Sequence, residues 1–339
     1  MHQPMKSNPF ISIVMPARNA AGSIAGAIDS ICLSQTADWE LVVCDDCSAD
    51  ATARIVADYA ARDARIRLIH SDYSRGSAYY PRKLAIEAAR GSWILELDAD
   101  DSFGKGYLDT ILSTIESAHP DMIIQRLRRQ GFGTADGDDE AIPSDETLSY
   151  LLSGPHPGRE LMKFTLDKWR LPLYLIARKE LFTKAYEEGD EPEAMNADEV
   201  FSRRILLGAK RVVYCGAEYF YMYNPDSVTH AVTPRRFDVM QTSRRLMRIV
   251  GKEFGHQSME YSLAAHSCYC THLDCLTLLD RVPHTAGRSN CRRKVKEGFN
   301  SPEWRQARRH VRGLIKWLSY LPFPMLQTAL RFKRKVSHD

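Results

Sequence analysis

Residues 81–101 read PRKLAIEAARGSWILELDADD. This stretch predicts a helix over Pro81–Ala89, stopped by Gly91, and then a buried strand over Trp93–Leu97. The strand runs into four residues that carry three carboxylates, Asp98, Asp100 and Asp101, around Ala99. The same pattern precedes it. Ile11–Met15 is a short β-branched run ending at Pro16, and residues 21–34 place Ile24, Ala27, Ile28 and Ile31 at helical spacing. Leu41–Cys44 is a second strand closed by Asp45-Asp46-Cys47-Ser48. Asp50 is placed to cap a helix with Ile55, Val56 and Tyr59 on its apolar face. Ile66–His70 is a third strand. Strands alternating with helices through short connections predict an α/β fold, a parallel sheet covered on both faces.

In such sheets ligands bind beyond the carboxyl ends of the strands. Here those ends carry Pro16-Ala17-Arg18-Asn19, Asp45-Asp46, and Asp98 to Asp101, so acidic residues gather where a ligand would sit. If the Asp98–Asp101 loop continues extended, Asp98 and Asp100 point the same way and can share a metal. Hard cations such as Mg²⁺ or Mn²⁺ favour such oxygen ligands and bridge them to phosphates. Taken alone, the loop reads more readily as a solvated acidic turn, with Asp101 or Ser102 capping the next helix.

Downstream, a helix over Leu108–Ser117 and a strand over Met122–Leu127 lead into a polar stretch, 131–146, expected as a loop or hairpin. A helix start is expected at Arg178, after the apolar piece LPLYLIA. Residues 198–208 predict an amphipathic helix burying Val200, Phe201, Ile205 and Leu206, followed by a strand, 211–214, and an aromatic segment, 217–223. Beyond Pro234 helices dominate. The expected organisation is a catalytic domain over 1–230 and a helical region over 231–339.

The composition, 44% hydrophobic and 26% charged, excludes a wholly disordered chain. The formal charge of +3 conceals a split. Residues 281–339 hold 15 Lys/Arg against three acids, a net of +12, whereas the other 280 residues, with 31 against 40, carry −9. That asymmetry suggests an anionic partner for the tail. No apolar run approaches the roughly 18–20 residues of a bilayer span, and no signal-like stretch opens the sequence. Eight cysteines are too few for a disulfide scaffold and fit reduced thiols in a cytosol. Cys44 and Cys47 form an isolated C-x-x-C. His266, Cys268, Cys270, His272 and Cys275 lie in a helix-like segment where core packing is favoured over metal binding.

The motifs come as an ordered set. PARN follows strand one, VCDDCSAD closes strand two, Arg82 lies sixteen residues before Asp98, and LDADD ends strand four. Together they resemble family 2 glycosyltransferases, inverting enzymes of the GT-A fold. Lys83 replaces the Asn that normally follows the Arg. The resemblance continues to about residue 230. Family members carry Glu-Asp-x-x-Phe at a helix start, and counting back three from Phe201 lands on Asp198, the position of the catalytic base. The Glu is replaced by Ala197, and Glu199 is a neighbouring carboxylate that competes for the role. In YFYMYNPDSVTH, Tyr221, Ser227, Val228 and Thr229 match the usual tyrosine and Ser-x-Thr pattern, without the basic residue common between them. Trp169 loosely resembles an acceptor-side tryptophan, with plain packing the favoured reading.

The resemblance implies a nucleotide-sugar donor, a UDP-sugar by family analogy, lying along Pro16, Ala17, Asn19, Asp45, Asp46, Arg82, Asp98 and Ala99. Asp46 would accept from a base N–H, Arg82 would meet the diphosphate, and Asp98 and Asp100 would bind Mn²⁺ or Mg²⁺. Asp198 would deprotonate an acceptor hydroxyl on a saccharide or lipid-linked saccharide, in polysaccharide assembly. A catalytically silent scaffold of the same fold is the alternative. Residues 304–335 mix Lys/Arg clusters with Trp304, Trp317, Tyr320, Phe323 and Phe332. They fit a segment lying on an anionic membrane surface, which places the protein peripherally on the inner face of the membrane. A helical lid with solvated charges is the rival for the tail. No nucleic-acid-binding module is recognisable.

Overall fold

The computed structural model describes residues 10–36, 38–131, 141–166, 170–187, 195–224, 233–282 and 287–310. In chain order the elements are β1 (Ile11–Ala17), α1 (Ile24–Cys32), β2 (Trp39–Asp45), α2 (Thr52–Ala60), β3 (Ile66–His70), α3 (Tyr79–Ala88), β4 (Trp93–Glu96), β5 (Ser102–Phe103) and α4 (Tyr107–Ala118). Then come β6 (Met122–Gln130), β7 (Ala141–Ile142), α5 (Asp145–Leu152), α6 (Gly158–Leu161), β8 (Ile176–Arg178), α7 (Lys179–Glu187), α8 (Ala197–Gly208) and β9 (Val212–Met222). Four more helices follow: α9 (Val239–Phe254), α10 (Met259–Leu278), α11 (Gly287–Phe299) and α12 (Pro302–His310).

The sheet runs β3-β2-β1-β4-β8-β6-β9-β5, with β7 pairing β6. Its first four strands are parallel, as the alternation predicts. Every residue of β1, β2 and β4 is buried, because helices cover both faces. The other half is mixed. β8 lies antiparallel between β4 and β6, and β6 and β9 are parallel to each other. At three residues β8 is too short for alternation to show in sequence. The segments expected at 211–214 and 217–223 are one strand, β9. A register irregularity opposite Ile124 and Arg126 breaks its alternation and made it look like two. Of the 131–146 stretch, Ala141–Ile142 forms the antiparallel partner of β6 and α5 begins at Asp145. The N-cap of α2 is Ala51 rather than Asp50, which lies one residue earlier and accepts from the Thr52 N–H at 2.9 Å.

The amino ends of the strands are tied by a buried polar network. Glu40 on β2 accepts from Ser12 Oγ (2.7 Å), Arg67 (2.9 Å) and the Arg90 N–H (2.6 Å), while Ser12 Oγ accepts from the Gly91 N–H (2.8 Å). These bonds fix the turn between α3 and β4, and so the strand that delivers Asp98. A side chain at Gly91 would meet the Ser12 backbone nitrogen at 2.7 Å, which explains the glycine.

The chain divides into two compact units. One is built from residues 1–165, 169–193 and 201–224, the other from 166–168, 194–200 and 225–339. The helical unit has its own core, including Phe237, Met240, Leu276, Leu279 and Val295. Ser258 caps α10 by accepting from the Tyr261 N–H at 3.0 Å. Of the His/Cys-rich segment, Cys268, His272 and Cys275 face this interior, and His266 lies outside. Among the described residues no group of three or more His, Cys, Asp or Glu is arranged to hold a metal ion. All eight cysteines are free thiols, with Cys44 buried and Cys47 exposed. Trp304, grouped above with interfacial aromatics, is instead core. It is 2% exposed and stacks on Tyr269 at 5.0 Å. Of the arginines of α12, Arg305 and Arg309 are exposed and Arg308 is half-buried. Residues 311–339 lie outside the described residues. Among those described, no helix is long and apolar enough to cross a membrane.

Burial pushes His272 down from 6.5 to about 4, and its Nε2 has no hydrogen-bond partner. The unfolded chain takes up a proton near pH 6.5 that the folded chain refuses until about pH 4. Stability is therefore complete above pH 6.5 and falls as the pH drops towards 4, by about 3 kcal/mol in all. Urea unfolding at pH 7.5 and pH 4.5 should show that loss in the wild type, and His272→Leu should lose markedly less. Equal acid sensitivity in both proteins would rule His272 out as the cause.

Candidate active site at the carboxyl edge of the sheet

β1 and β2 pair in register from Ile11↔Trp39 to Ala17↔Asp45, so their carboxyl ends finish level. Pro16 and Ala17 are buried in the last turn of that ladder, opposite Cys44 and Asp45. The two following loops are laced together. Asn19, in a left-handed conformation (φ 49°), donates its N–H to Ser48 Oγ (3.0 Å), and its Oδ1 accepts from the Ala49 N–H (2.8 Å). The Ala20 N–H reaches Thr52 Oγ1 (2.8 Å) and the Ala21 N–H reaches Asp50 Oδ2 (3.0 Å). Asn19, expected to line the donor site, is thus a stitch between loops.

Asp45 and Asp46 are both buried, at 4% and 2% exposure. Asp45 Oδ2 accepts from the Ser48 N–H (3.2 Å) and closes the turn. The carboxylate of Asp46 accepts from Ser71 Oγ (2.7 Å) on one oxygen and Ser74 Oγ (2.6 Å) on the other. Each oxygen keeps a second lone pair for a ligand N–H. Arg18 donates to Ser74 Oγ and lies 3.9 Å from Asp46. Ser71 and Ser74 follow β3, so the strand-end rule applied to the third strand would have found them. Cys47, exposed beside this pair, holds a left-handed backbone (φ 56°).

The acidic loop does not continue extended. The Asp101 N–H donates back to the Asp98 carbonyl at 3.1 Å, because the chain turns at Ala99 and Asp100. Ala99 is buried in the main hydrophobic cluster. Asp98 accepts from Arg82 at 2.7 Å, Asp100 from Asn224 at 2.8 Å, and Asp101 from the Tyr219 hydroxyl at 2.6 Å and the Met222 N–H at 2.9 Å. Arg82, expected at a diphosphate, is 7% exposed and also sits 3.5 Å from Glu96. Its guanidinium is shared between two carboxylates. Burial, with the charge of Asp98 adding to it, raises the Asp100 carboxyl above its ordinary range; the same causes push Asp101 to about 8. These oxygens are of the type a hard divalent cation prefers, but among the described residues no group of three or more such side chains is arranged to hold one without further ligands.

Tyr221 stands beside the same loop. Its hydroxyl is pushed up first by burial and then by the charges of Asp101, Asp98 and Asp100. Asp198 lies in the first turn of α8 and is exposed, with Glu199 half-buried behind it. The turn before them includes Asn196 in a left-handed conformation (φ 60°), and Thr242 Oγ1 donates to the Met195 carbonyl at 2.7 Å. Trp169, Ser227, Val228 and Thr229 lie outside the described residues. Glu96, Tyr219 and Asn224 carried no signal in the sequence. A cavity of about 420 Å³ between α3 and α7 is lined by Lys83, Ile86, Glu87, Lys179, Thr183 and Tyr186, none of them an expected site residue.

Residues 12–166 match the model of the family described as Glycosyl transferase family 2. The uncharacterized glycosyltransferase EpsJ of Bacillus subtilis (strain 168) is 30% identical over 228 residues, covering 65% of this chain and 63% of that protein. An Escherichia coli protein named UDP-Glc:alpha-D-GlcNAc-diphosphoundecaprenol beta-1,3-glucosyltransferase WfgD is 41% identical over 92 residues, 27% of this chain and 35% of its own length. The chain thus spans less than two thirds of the length of these relatives. In three dimensions it is similar to S. aureus TarS 1-349, solved in complex with UDP-GlcNAc. The TM-score is 0.70 at 17% identity, covering 96% of this chain and 91% of that one. That likeness establishes the fold, a GT-A sheet with a helical C-terminal region.

Proposed function

We propose that this chain, whose residues 12–166 match glycosyl transferase family 2, is an inverting glycosyltransferase using a UDP-sugar. The acceptor is a saccharide or lipid-linked saccharide in polysaccharide assembly, as the names of its relatives suggest. The observation that carries the reading is the acidic turn at the carboxyl edge, where Asp98 is paired with Arg82 and Asp100 and Asp101 follow it, together with the buried Asp46.

In this mechanism Asp46, steadied by two serine hydroxyls, accepts from the N–H of the base. Pro16, Ala17, Asn19 and Asp45 shape the wall around the nucleoside, and Ala99 keeps the turn small enough for the donor to pass. Arg82, hydrogen-bonded to Asp98 at 2.7 Å, aims that carboxylate. Asp98 and Asp100 would hold Mn²⁺ or Mg²⁺, which when bound neutralises charge developing on the departing nucleoside diphosphate. On the motif match, Asp198 takes the proton from the acceptor hydroxyl as its oxygen attacks the anomeric carbon. The new C–O bond forms on the face opposite the breaking bond to phosphate, so the centre inverts. The first-turn position on α8 favours the ionised carboxylate that this role needs.

The test is release of UDP from candidate UDP-sugars with Mn²⁺ or Mg²⁺ and lipid-linked acceptors. Absence of turnover with every donor would favour the silent scaffold. A separate readout locates the nucleotide: UDP should protect the exposed Cys47 from alkylation while leaving Cys32 reactive. Unprotected Cys47 would move the nucleotide elsewhere. The basic region supports contact with an anionic membrane surface, on the cytoplasmic face in this reading. Truncation after residue 310 should release the protein from phosphatidylserine liposomes, and unchanged binding would refute that contact.

A further inference from the structure

We propose that Tyr219 is a positioning residue for the acidic loop, holding Asp98 and Asp100 in the arrangement that binds a divalent cation. The inference rests on the assignment of those two carboxylates in the function proposed above.

One hydroxyl fastens both ends of the loop. Tyr219 accepts from the Asp98 N–H at 3.2 Å and donates to Asp101 Oδ2 at 2.6 Å. The other oxygen of Asp101 accepts from the Met222 N–H at 2.9 Å, and Asn224 holds Asp100 Oδ2 at 2.8 Å. Three of these bonds come from β9 and the fourth from Asn224 just beyond it; β9 is the strand that pairs with β5 immediately after the loop, Tyr219 opposite Phe103. The phenol is itself immobilised. Tyr219 is fully buried, with Tyr174 at 4.5 Å and the edge of Phe103 at 6.0 Å from its ring. A buried hydroxyl on a rigid ring can set the direction of a short turn more firmly than the turn's own single Asp101 N–H to Asp98 carbonyl bond. Removing it leaves the Asp98 N–H unsatisfied and the Asp101 carboxylate with its Met222 bond, so the turn is freed to rotate while the strand stays in place.

Partners of ligating carboxylates that do not themselves touch the ion typically change metal affinity about 10- to 100-fold when removed. Mn²⁺ alone should be titrated onto the full chain by electron paramagnetic resonance, with UDP binding measured separately without metal. Tyr219→Phe is expected to weaken Mn²⁺ binding at least about tenfold and to leave metal-free UDP binding unchanged. Phe182→Leu, a change to a fully buried ring on α7, provides the control for general loss of stability and should keep wild-type Mn²⁺ affinity. Equal Mn²⁺ affinity in Tyr219→Phe and wild type would overturn the proposal, as would an equal loss in Phe182→Leu. A wild type that binds neither Mn²⁺ nor UDP would overturn the assignment of the site itself, and the positioning role with it.

Discussion

Asp198→Asn is expected to cut turnover about 10²- to 10⁴-fold, the usual contribution of a positioned general base, while the KM for the donor stays within about twofold. The amide keeps the size of the side chain and its place in the first turn of α8. What it loses is the ability to take a proton from the attacking hydroxyl. Because that interaction belongs to the transition state, the loss should fall on kcat rather than on donor binding. Glu199 is the natural comparison, one residue along the same turn and half-buried. Glu199→Gln should transfer sugar at close to the wild-type rate. If the two variants exchange behaviour, the base is Glu199 and the motif is displaced by one residue. Retained turnover in both would remove this turn from the chemistry altogether.

Gly158→Ala should cost about 3–5 kcal/mol, enough to abolish most soluble expression in a domain of ordinary stability. A β-carbon on residue 158 would lie 1.7 Å from the Leu206 carbonyl oxygen and 2.7 Å from its carbon. Neither partner can give way cheaply. Leu206 lies in the last turns of α8 with Ile205, both fully buried, and the Gly158 N–H donates to the Ala209 carbonyl at 2.9 Å. Moving residue 158 breaks that bond, and moving residue 206 repacks the end of the helix. Gly216, on β9, is the internal control, since nothing lies within 4 Å of a β-carbon there. Gly216→Ala should unfold within about 0.5 kcal/mol of wild type. A Gly158→Ala protein as stable as that one would mean that α6 and α8 approach less closely than described.

The parallel half of the sheet was legible because its strands are buried on both faces and therefore spell continuous β-branched runs. Ile66–His70 matches β3 residue for residue, and β1, β2 and β4 differ by one or two residues at their ends. The mixed half was less so. β8 is three residues long, and the irregularity in β9 resets the alternation on which strand recognition depends. The site divides along the same line. Asn19, Asp46 and Asp98 stand at the ends of recognisable strands, so the topology rule reaches them. Tyr219 meets Asp101 across 118 positions of sequence, and no local pattern announces such a meeting. Arg82 shows a third case. Its spacing to Asp98 was readable, but its burial between Glu96 and Asp98 follows from which face of α3 packs on the sheet.

The stitching of the Asn19 loop to the Ser48–Thr52 loop bears on how donor preference can change. Four hydrogen bonds join segments about 30 residues apart, so the length of one loop is a boundary condition for the other. An insertion in either would leave unsatisfied donors in its neighbour. Transplanting a nucleotide preference from a relative therefore calls for exchanging both loops as a matched pair, and single-loop chimaeras are poor starting points for redesign.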